Sequence, residues 1–336
     1  MSNKKILVTG GAGYIGSHVV RQLGEQGEAV VVLDNLYTGF RDAVTYGDFV
    51  EGNTGDIELL QKLFDAHEID TVMHFAAHTV VPESVSNPLK YYGNNTANTR
   101  NLLEVANDHG VKHVVFSSTA AVYGILETGT ASEEAPTHPI NAYGTSKLMS
   151  EWMLRDLAAA GGPSYVALRY FNVAGCDPEG RIGQSTPNAT LLTKVACEAA
   201  TGKRDGVMIF GTDYDTPDGT GVRDYIHVED LASAHLKALD YLRAGGDSST
   251  LNCGYGHGYS VRELLSAVEQ ANGAALNITE APRRDGDPPT LVAKADRIRE
   301  VLGWTPAYDS LDAIVSSSLA WEKRIAANEP GVYFRR

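Results

Sequence analysis

Tyr143 and Lys147 stand four residues apart in AYGTSKLMSE, and Thr119 lies upstream in FSSTAAVYG. On a helix that spacing puts the phenol and the ammonium on one face, one turn apart. The ammonium can then stabilise a phenolate. A tyrosine ordinarily ionises near pH 10, so work as a base near neutrality needs a drop of roughly 3, to which a cation and a positively charged cofactor ring could both contribute. An isolated Tyr–Lys pair is an ordinary surface contact, and it is the company it keeps that matters. With a hydroxyl at Thr119, the three residue types suit hydride transfer at an alcohol carbon. The Tyr exchanges the hydroxyl proton, the Lys tunes it and holds a ribose, and the Thr orients the substrate oxygen.

A cofactor signal sits at the other end of the chain. Gly10-Gly11-Ala12-Gly13-Tyr14-Ile15-Gly16 parses as GxGxxG from Gly11 or as GxxGxxG from Gly10. Glycines there permit a tight turn and let the backbone approach a pyrophosphate, which the following helix N-terminus attracts. Asp34 closes the second apolar run. A carboxylate at that place accepts from an adenosine ribose and repels a 2′-phosphate. No arginine follows directly, so NAD is favoured over NADP. Asp56 and Ile57 lie in the next crossover, where Asp56 reads equally well as a helix-start residue.

These groups need a scaffold that gathers residues 10, 34, 119 and 143. Apolar runs at 5–9 (KILVT), 29–33 (AVVVL), 70–75, 113–117 (HVVFS) and 164–169 (SYVALR) predict buried strands. Helical patterns at 14–26, 90–108 and 141–159 fall between them. Continuous Val/Ile/Leu runs separated by helices indicate an α/β, doubly wound parallel sheet of Rossmann type. Ser117, Ser118 and Thr119 then sit at the carboxyl end of a strand, where ligands bind in such sheets. After about residue 174 the chain becomes rich in Gly, Pro and Asp. The expected division is a Rossmann domain at 1–174, with about 222–254 returning to it, and a smaller α/β substrate-binding lobe at 175–336. No long polar linker parts them, so the lobes share an interface, a common place for ligands.

Bulk properties exclude several classes. Net charge is −14 over 336 residues, which disfavours nucleic acid or an anionic membrane as the main partner. A phosphorylated substrate needs only a local basic pocket. Three scattered cysteines make no CxxC pair and no disulfide framework, so a reducing, cytoplasmic setting is expected, with no metal site. The start MSNKKILVTGG lacks the apolar run of a signal peptide, and no stretch approaches a membrane span of about 20 apolar residues.

Taken together, VTGGAGYIGSH, LDNLYTG, FSSTAAVYG, AYGTSKLMSE, LRYFNVAGCDPEGRIGQ, FGTDYDTPDGTGVRDYIHVEDLASAH and RRDGDPP resemble the extended short-chain dehydrogenase/reductases, and within them the UDP-galactose 4-epimerase family, nearly end to end. The run 210–235 is the most specific to the epimerases and their nearest relatives. The resemblance implies resident NAD held by Gly10, Gly13, Tyr14, Ile15, Gly16, Asp34, Asn35, Asp56, Ile57, Phe75, Ala76, Ala77, Asn94, Tyr143, Lys147 and Phe171. It implies a UDP-sugar held by Thr119, Asn172, Leu192, Phe210, Arg223, Arg284 and Asp287, with Ile209-Phe210 and Leu192 near the uracil. Guanidinium forks at Arg223 and Arg284 suit a diphosphate in an otherwise acidic chain. It implies a homodimer, and interconversion of UDP-glucose and UDP-galactose. C4 is oxidised to a 4-keto sugar, the sugar turns over, and C4 is reduced on its other face.

Departures from the family pattern bear on specificity. Thr119 replaces a common Ser and keeps the hydroxyl. Thr190-Leu191-Leu192-Thr193 replaces Thr-His-Leu-Ile near the nucleotide. Leu291 matches a position that sets sugar-pocket size, and its intermediate bulk leaves acetamido sugars open. Dehydratases of this superfamily carry Asp-Glu after the catalytic Thr, where this chain has Ala120-Ala121. Eliminating water needs a further acid and base that two methyl groups cannot provide. The alternatives are a 4-epimerase of another UDP-sugar (UDP-GlcNAc, UDP-xylose or UDP-glucuronate) and a non-catalytic NAD-binding regulator.

Overall fold

The computed structural model describes residues 4–284, 286–329 and 332. The first half runs β1 (Lys5–Thr9), α1 (Tyr14–Glu25), β2 (Val30–Asp34), β3 (Asp48–Glu51), α2 (Ile57–Ala66), β4 (Ile69–His74), α3 (Val81–Ser86), α4 (Pro88–Tyr91), α5 (Asn98–Asp108), β5 (His113–Ser117), β6 (Thr130–Ala131), α6 (Ala142–Ala159) and β7 (Ser164–Tyr170). The second runs β8 (Asn172–Ala174), α7 (Leu192–Ala200), β9 (Val207–Phe210), β10 (Val222–Arg223), β11 (Tyr225–His227), α8 (Val228–Arg243), β12 (Ser249–Cys253), β13 (Tyr259–Ser260), α9 (Val261–Asn272), β14 (Ile278–Ala281), β15 (Thr290–Ala293), α10 (Asp296–Leu302) and α11 (Leu311–Ala326).

Seven parallel strands form the main sheet in the order β12-β7-β5-β4-β1-β2-β3. Successive residues feed opposite faces. Ile6, Val8, Val30 and Val32 enter one core, and Leu7, Val31 and Leu33 enter the other. That two-sided burial explains the unbroken apolar runs. The first core continues into Ile209, Tyr225, Leu264 and Ile314, so the two halves of the chain share one interior. Chain order reverses between β1 and β4, which places a ligand crevice at their carboxyl ends.

Two elements depart from the sequence expectation. The helix expected at 90–108 is broken: α4 passes into a π-helical segment, Tyr92–Ala97, before α5. The wider turn accompanies an inward Asn95, whose amide bonds His78 N and O at 2.8 and 2.9 Å and Ser146 Oγ at 3.1 Å. The edge strand β3 was not anticipated, because only its centre is partly buried and it carries no apolar run. Beyond residue 174 the loop-rich stretch condenses into small sheets. β13-β10-β15-β6 forms one, and the pairs β11-β8 and β14-β9 form two more.

Candidate active site

The glycine turn is built by contact. Gly10 has φ +71°, and a Cβ there would lie 2.6 Å from Ala76 N. A Cβ on Gly16 would lie 2.2 Å from Gly10 O, and one on Gly13 would sit 3.2 Å from the same oxygen. The parse Gly10–Gly13–Gly16 therefore describes the turn, and it packs against the Phe75-Ala76 peptide that leaves β4. Asp34 ends β2 almost fully buried, accepting from Ala12 N at 2.9 Å and Leu36 N at 2.8 Å. Burial pushes its carboxyl up, and these two N–H groups pull it back. Asn35 stands exposed beside it, its side chain accepting from Tyr37 N. Together they form a cradle that a side chain would fill, facing a carboxylate that has lone pairs to spare, and this fits a dinucleotide.

The other cofactor candidates stand on the segments that follow β1, β3, β4 and β7. Tyr14 donates to Gly175 O at 2.6 Å, and with Ile15 and Phe75 it packs on the first core. Ile57 packs on the second. Asp56 caps α2 by accepting from Leu59 N at 3.0 Å, so its helix-start reading holds. Ala77 follows Ala76 out of β4, and Asn94 sits in the π segment, donating to Asn95 Oδ1. Beneath them His74 bridges Thr9 and Thr99 at 2.6 and 2.8 Å, and burial pushes it down to about 3, so it stays neutral.

The catalytic candidates stand on α6 and at the end of β5. Asn141 caps α6 by accepting from Gly144 N at 2.9 Å, which sets Tyr143 in the first turn. A Cβ on Gly144 would lie 2.5 Å from Ala121 O, so the helix start presses on the segment just after Thr119. Tyr143 is buried. Its phenol is pushed up by desolvation and drawn back by a hydrogen bond with the Thr119 hydroxyl. One turn on, Lys147 donates to Ser117 O at 2.8 Å and lies 4.8 Å from the Phe116 ring. Burial brings Lys147 down to about 7, with Glu151 opposing.

Sequence reasoning missed the support beneath this trio. Glu151 extends the row Tyr143–Lys147–Glu151 by another four residues. It is buried, paired with Arg169 at 2.6 Å and bonded by Ser118 Oγ. The continued spacing was a signal, but a charge there reads as a solvated face. Tyr170 donates to or accepts from Ser117 Oγ at 2.5 Å, tying the end of β7 to the same strand end.

The substrate candidates converge separately. Asn172, Leu192, Phe210, Arg223, Arg284 and Asp287 all line one cavity of about 880 Å³. Thr119 is absent from its lining. Asn172 lies between the two places along the chain: it opens β8 two residues past Tyr170, and Phe171 between them, like Leu291, packs on the small cluster around Ala120 and Val122. Arg284 lies 3.6 Å over the Phe210 ring. Arg223 donates to Val222 O at 2.8 Å and faces Asp287 at 3.7 Å. Tyr214, Lys203 and Arg204 also line the cavity and were not singled out from the sequence.

Comparison with known proteins agrees with this geometry. The model of the NAD dependent epimerase/dehydratase family matches residues 6–254. The UDP-glucose 4-epimerase of Azospirillum brasilense is 57% identical over 325 residues, 96% of this chain and 93% of that relative. The solved UDP-glucose 4-epimerase from Brucella ovis in complex with NAD has a TM-score of 0.93 and 42% identity, covering 95% of this chain and 98% of that one. Its counterpart from Bifidobacterium longum, in complex with NAD+ and UDP, has a TM-score of 0.90 and 37% identity over 98% of this chain and 100% of that one. The chain belongs to the NAD dependent epimerase/dehydratase family.

Proposed function

We propose that this chain is an NAD-dependent UDP-glucose 4-epimerase that interconverts UDP-glucose and UDP-galactose. The observation that carries the reading is the adjacency of two sites. Asn172 lines the cavity that holds Arg223 and Arg284, and two residues before it Tyr170 bonds Ser117 Oγ, while the Ser117 carbonyl accepts from Lys147 in the buried Tyr–Lys–Thr cluster. Gly10, Gly13, Tyr14, Ile15, Gly16, Asp34 and Asn35 would hold the adenosine and pyrophosphate side of the cofactor. Asp56, Ile57, Phe75, Ala76, Ala77, Asn94, Lys147 and Phe171 would complete its cleft. When bound, NAD would supply a two-electron acceptor and donor and a positively charged ring beside the phenol.

Arg223 and Arg284 hold the diphosphate, and Phe210 and Leu192 the uracil end. Asp287 steadies Arg223. Tyr143 Oη takes the proton of the C4 hydroxyl as C4 is oxidised, and returns it when C4 is reduced. Thr119 orients the C4 oxygen. Burial opposes the phenolate, so the Lys147 ammonium and the cofactor's charge must favour it. The 4-keto sugar turns about its diphosphate link between the two steps. Firm binding of UDP with few bonds to the sugar leaves that turn unhindered.

Residues 1–174 with about 222–254 form the cofactor domain in this reading, and most of 175–336 the substrate lobe. The pairing of β12 with β7 supports the return of the chain. Among the described residues no helix is long and apolar enough to cross a membrane. Three buried free cysteines favour the cytoplasm. Val85, Leu89 and Trp152 stand exposed on α3, α4 and α6, which contact one another, and support a homodimer through that face. Adding UDP-glucose to the purified chain should yield UDP-galactose with no added cofactor, and denaturation should release NAD. No UDP-galactose, but turnover of UDP-N-acetylglucosamine, UDP-xylose or UDP-glucuronate, would move the assignment to another sugar. NADP in the extract would overturn the role of Asp34.

A further inference from the structure

Two walls of the substrate cavity are pinned together from outside it. One wall is the turn after β9, which carries Tyr214 and leads to Arg223. The other is the segment after β14, which carries Arg283, Arg284 and Asp287. Their strands pair in parallel up to Ala281↔Phe210, and Gly211 N then donates to Ala281 O at 2.8 Å. The walls meet again where β10 pairs with β15, Val222↔Thr290 and Arg223↔Leu291, which leaves the turn around Tyr214 and the segment around Arg284 between the two ladders. Arg283 spans the gap. Its Nε donates to Asp213 Oδ1 at 2.7 Å, a second nitrogen donates to Asp213 O, and its guanidinium lies 4.3 Å over the Tyr214 ring.

Tyr214 is itself wedged in place. Gly211 has φ +82°, and a Cβ there would lie 2.5 Å from Tyr214 Cε2 and 2.8 Å from Arg283 Cγ. The Tyr214 hydroxyl is buried and has no hydrogen-bond partner among the described residues. The ring, not the hydroxyl, therefore makes the contact that matters. Adjacent arginines split the work. Arg283 faces out and holds the turn, while Arg284 covers Phe210 at the cavity.

We propose that Arg283, with Asp213 and the Tyr214 ring, is a positioning device that sets the Arg284 guanidinium for the diphosphate of the substrate. This rests on the UDP-sugar reading above and deepens it. Arg283 does not touch the ligand in this account. It acts by restricting the backbone from Pro282 to Arg284, so that less freedom is lost when the diphosphate binds.

Calorimetry with UDP and uridine on the full chain, as purified with its cofactor, tests this. Arg283→Ala and Tyr214→Leu should each weaken UDP about fivefold, the scale of an exposed cation–π contact and ion pair combined. Uridine affinity should be unchanged. Tyr214→Phe keeps the ring and should restore most of what Tyr214→Leu loses. In an Arg284→Ala background, Arg283→Ala should cost nothing further, because the group it positions is gone. A general structural role predicts equal losses for uridine and a loss that persists in that background, and either result overturns the proposal. So does wild-type UDP affinity in Arg283→Ala. If the unmodified chain binds uridine and UDP equally, the diphosphate reading falls and this inference falls with it. If only the Arg283 and Tyr214 variants behave as wild type, that reading stands and this inference alone fails.

Discussion

The dinucleotide crevice and the substrate cavity use charge in opposite ways. In the crevice the charged groups are sealed: Lys147 is 2% exposed and Asp34 7%. At the cavity the Asp287 side chain is 42% exposed, and outside it Arg283 is 45% exposed. Sealing moves proton affinities, as Lys147 shows, and proton transfer at neutral pH needs such movement. Arg284 is exposed and Arg223 is 16% exposed, so both guanidiniums stand nearer to water than Lys147 and can grip and release a doubly charged tail. One region is suited to chemistry and the other to a tether. An epimerase needs both, because the sugar must turn while the nucleotide stays.

Removing one atom from the sealed region should separate the two roles most sharply. Tyr143→Phe should lower turnover by about 10²–10⁴, the usual worth of a positioned acid–base group. UDP affinity and bound NAD should stay near wild type. Steady-state kinetics with calorimetry on the same preparation checks both. Turnover within a few-fold of wild type would take proton transfer away from Tyr143.

The open region should show the reverse pattern. Arg223→Ala or Arg284→Ala should weaken UDP and UDP-glucose by about 10- to 150-fold, since charge-assisted hydrogen bonds are worth roughly 1.5–3 kcal/mol. Uridine should lose little. Because Arg284 stands exposed, UDP affinity should also fall with added salt. Equal losses for uridine would assign the arginines to pocket shape instead.

The same contrast explains what could be read from the sequence. Tyr143–Lys147 and Gly10–Gly16 are local spacings, and local spacing is set by helix and turn geometry. Asp34 could be placed because it ends an apolar run. Asn172, Leu192, Phe210, Arg223 and Arg284 come from separate segments spread between residues 172 and 284, and no periodicity says that they meet. Only the family resemblance named them. Glu151 lay on a legible row, yet its burial depends on Arg169 arriving from β7. Asn95 and the π segment were hidden because the demand for them comes from His78 and Ser146, distant in the chain. Arg283 was invisible for the same reason, since its partners Asp213 and Tyr214 lie about 70 residues earlier.

A smaller effect tests how dry the crevice is. Burial brings Lys147 down to about 7, against Glu151. An ordinary lysine in the unfolded chain titrates near 10.4. Between those values the unfolded chain holds a proton on this group that the folded chain has released. Stability contributed by Lys147 therefore rises with pH across that window and is flat outside it, by about 1.4 kcal/mol per pH unit. Lys147→Met abolishes the titration. Urea unfolding of cofactor-free wild type and variant near about pH 7.5 and about pH 9 isolates the group, because other titrations cancel in the difference. The variant's stability relative to wild type should fall by roughly 2 kcal/mol between the two pH values. Added salt should change this little, in contrast to UDP binding at the arginines. A difference that does not move with pH would mean that Lys147 keeps its proton when buried. Charge in the crevice would then be nearly as well solvated as charge at the cavity, and the contrast between the two regions would have to rest on geometry alone.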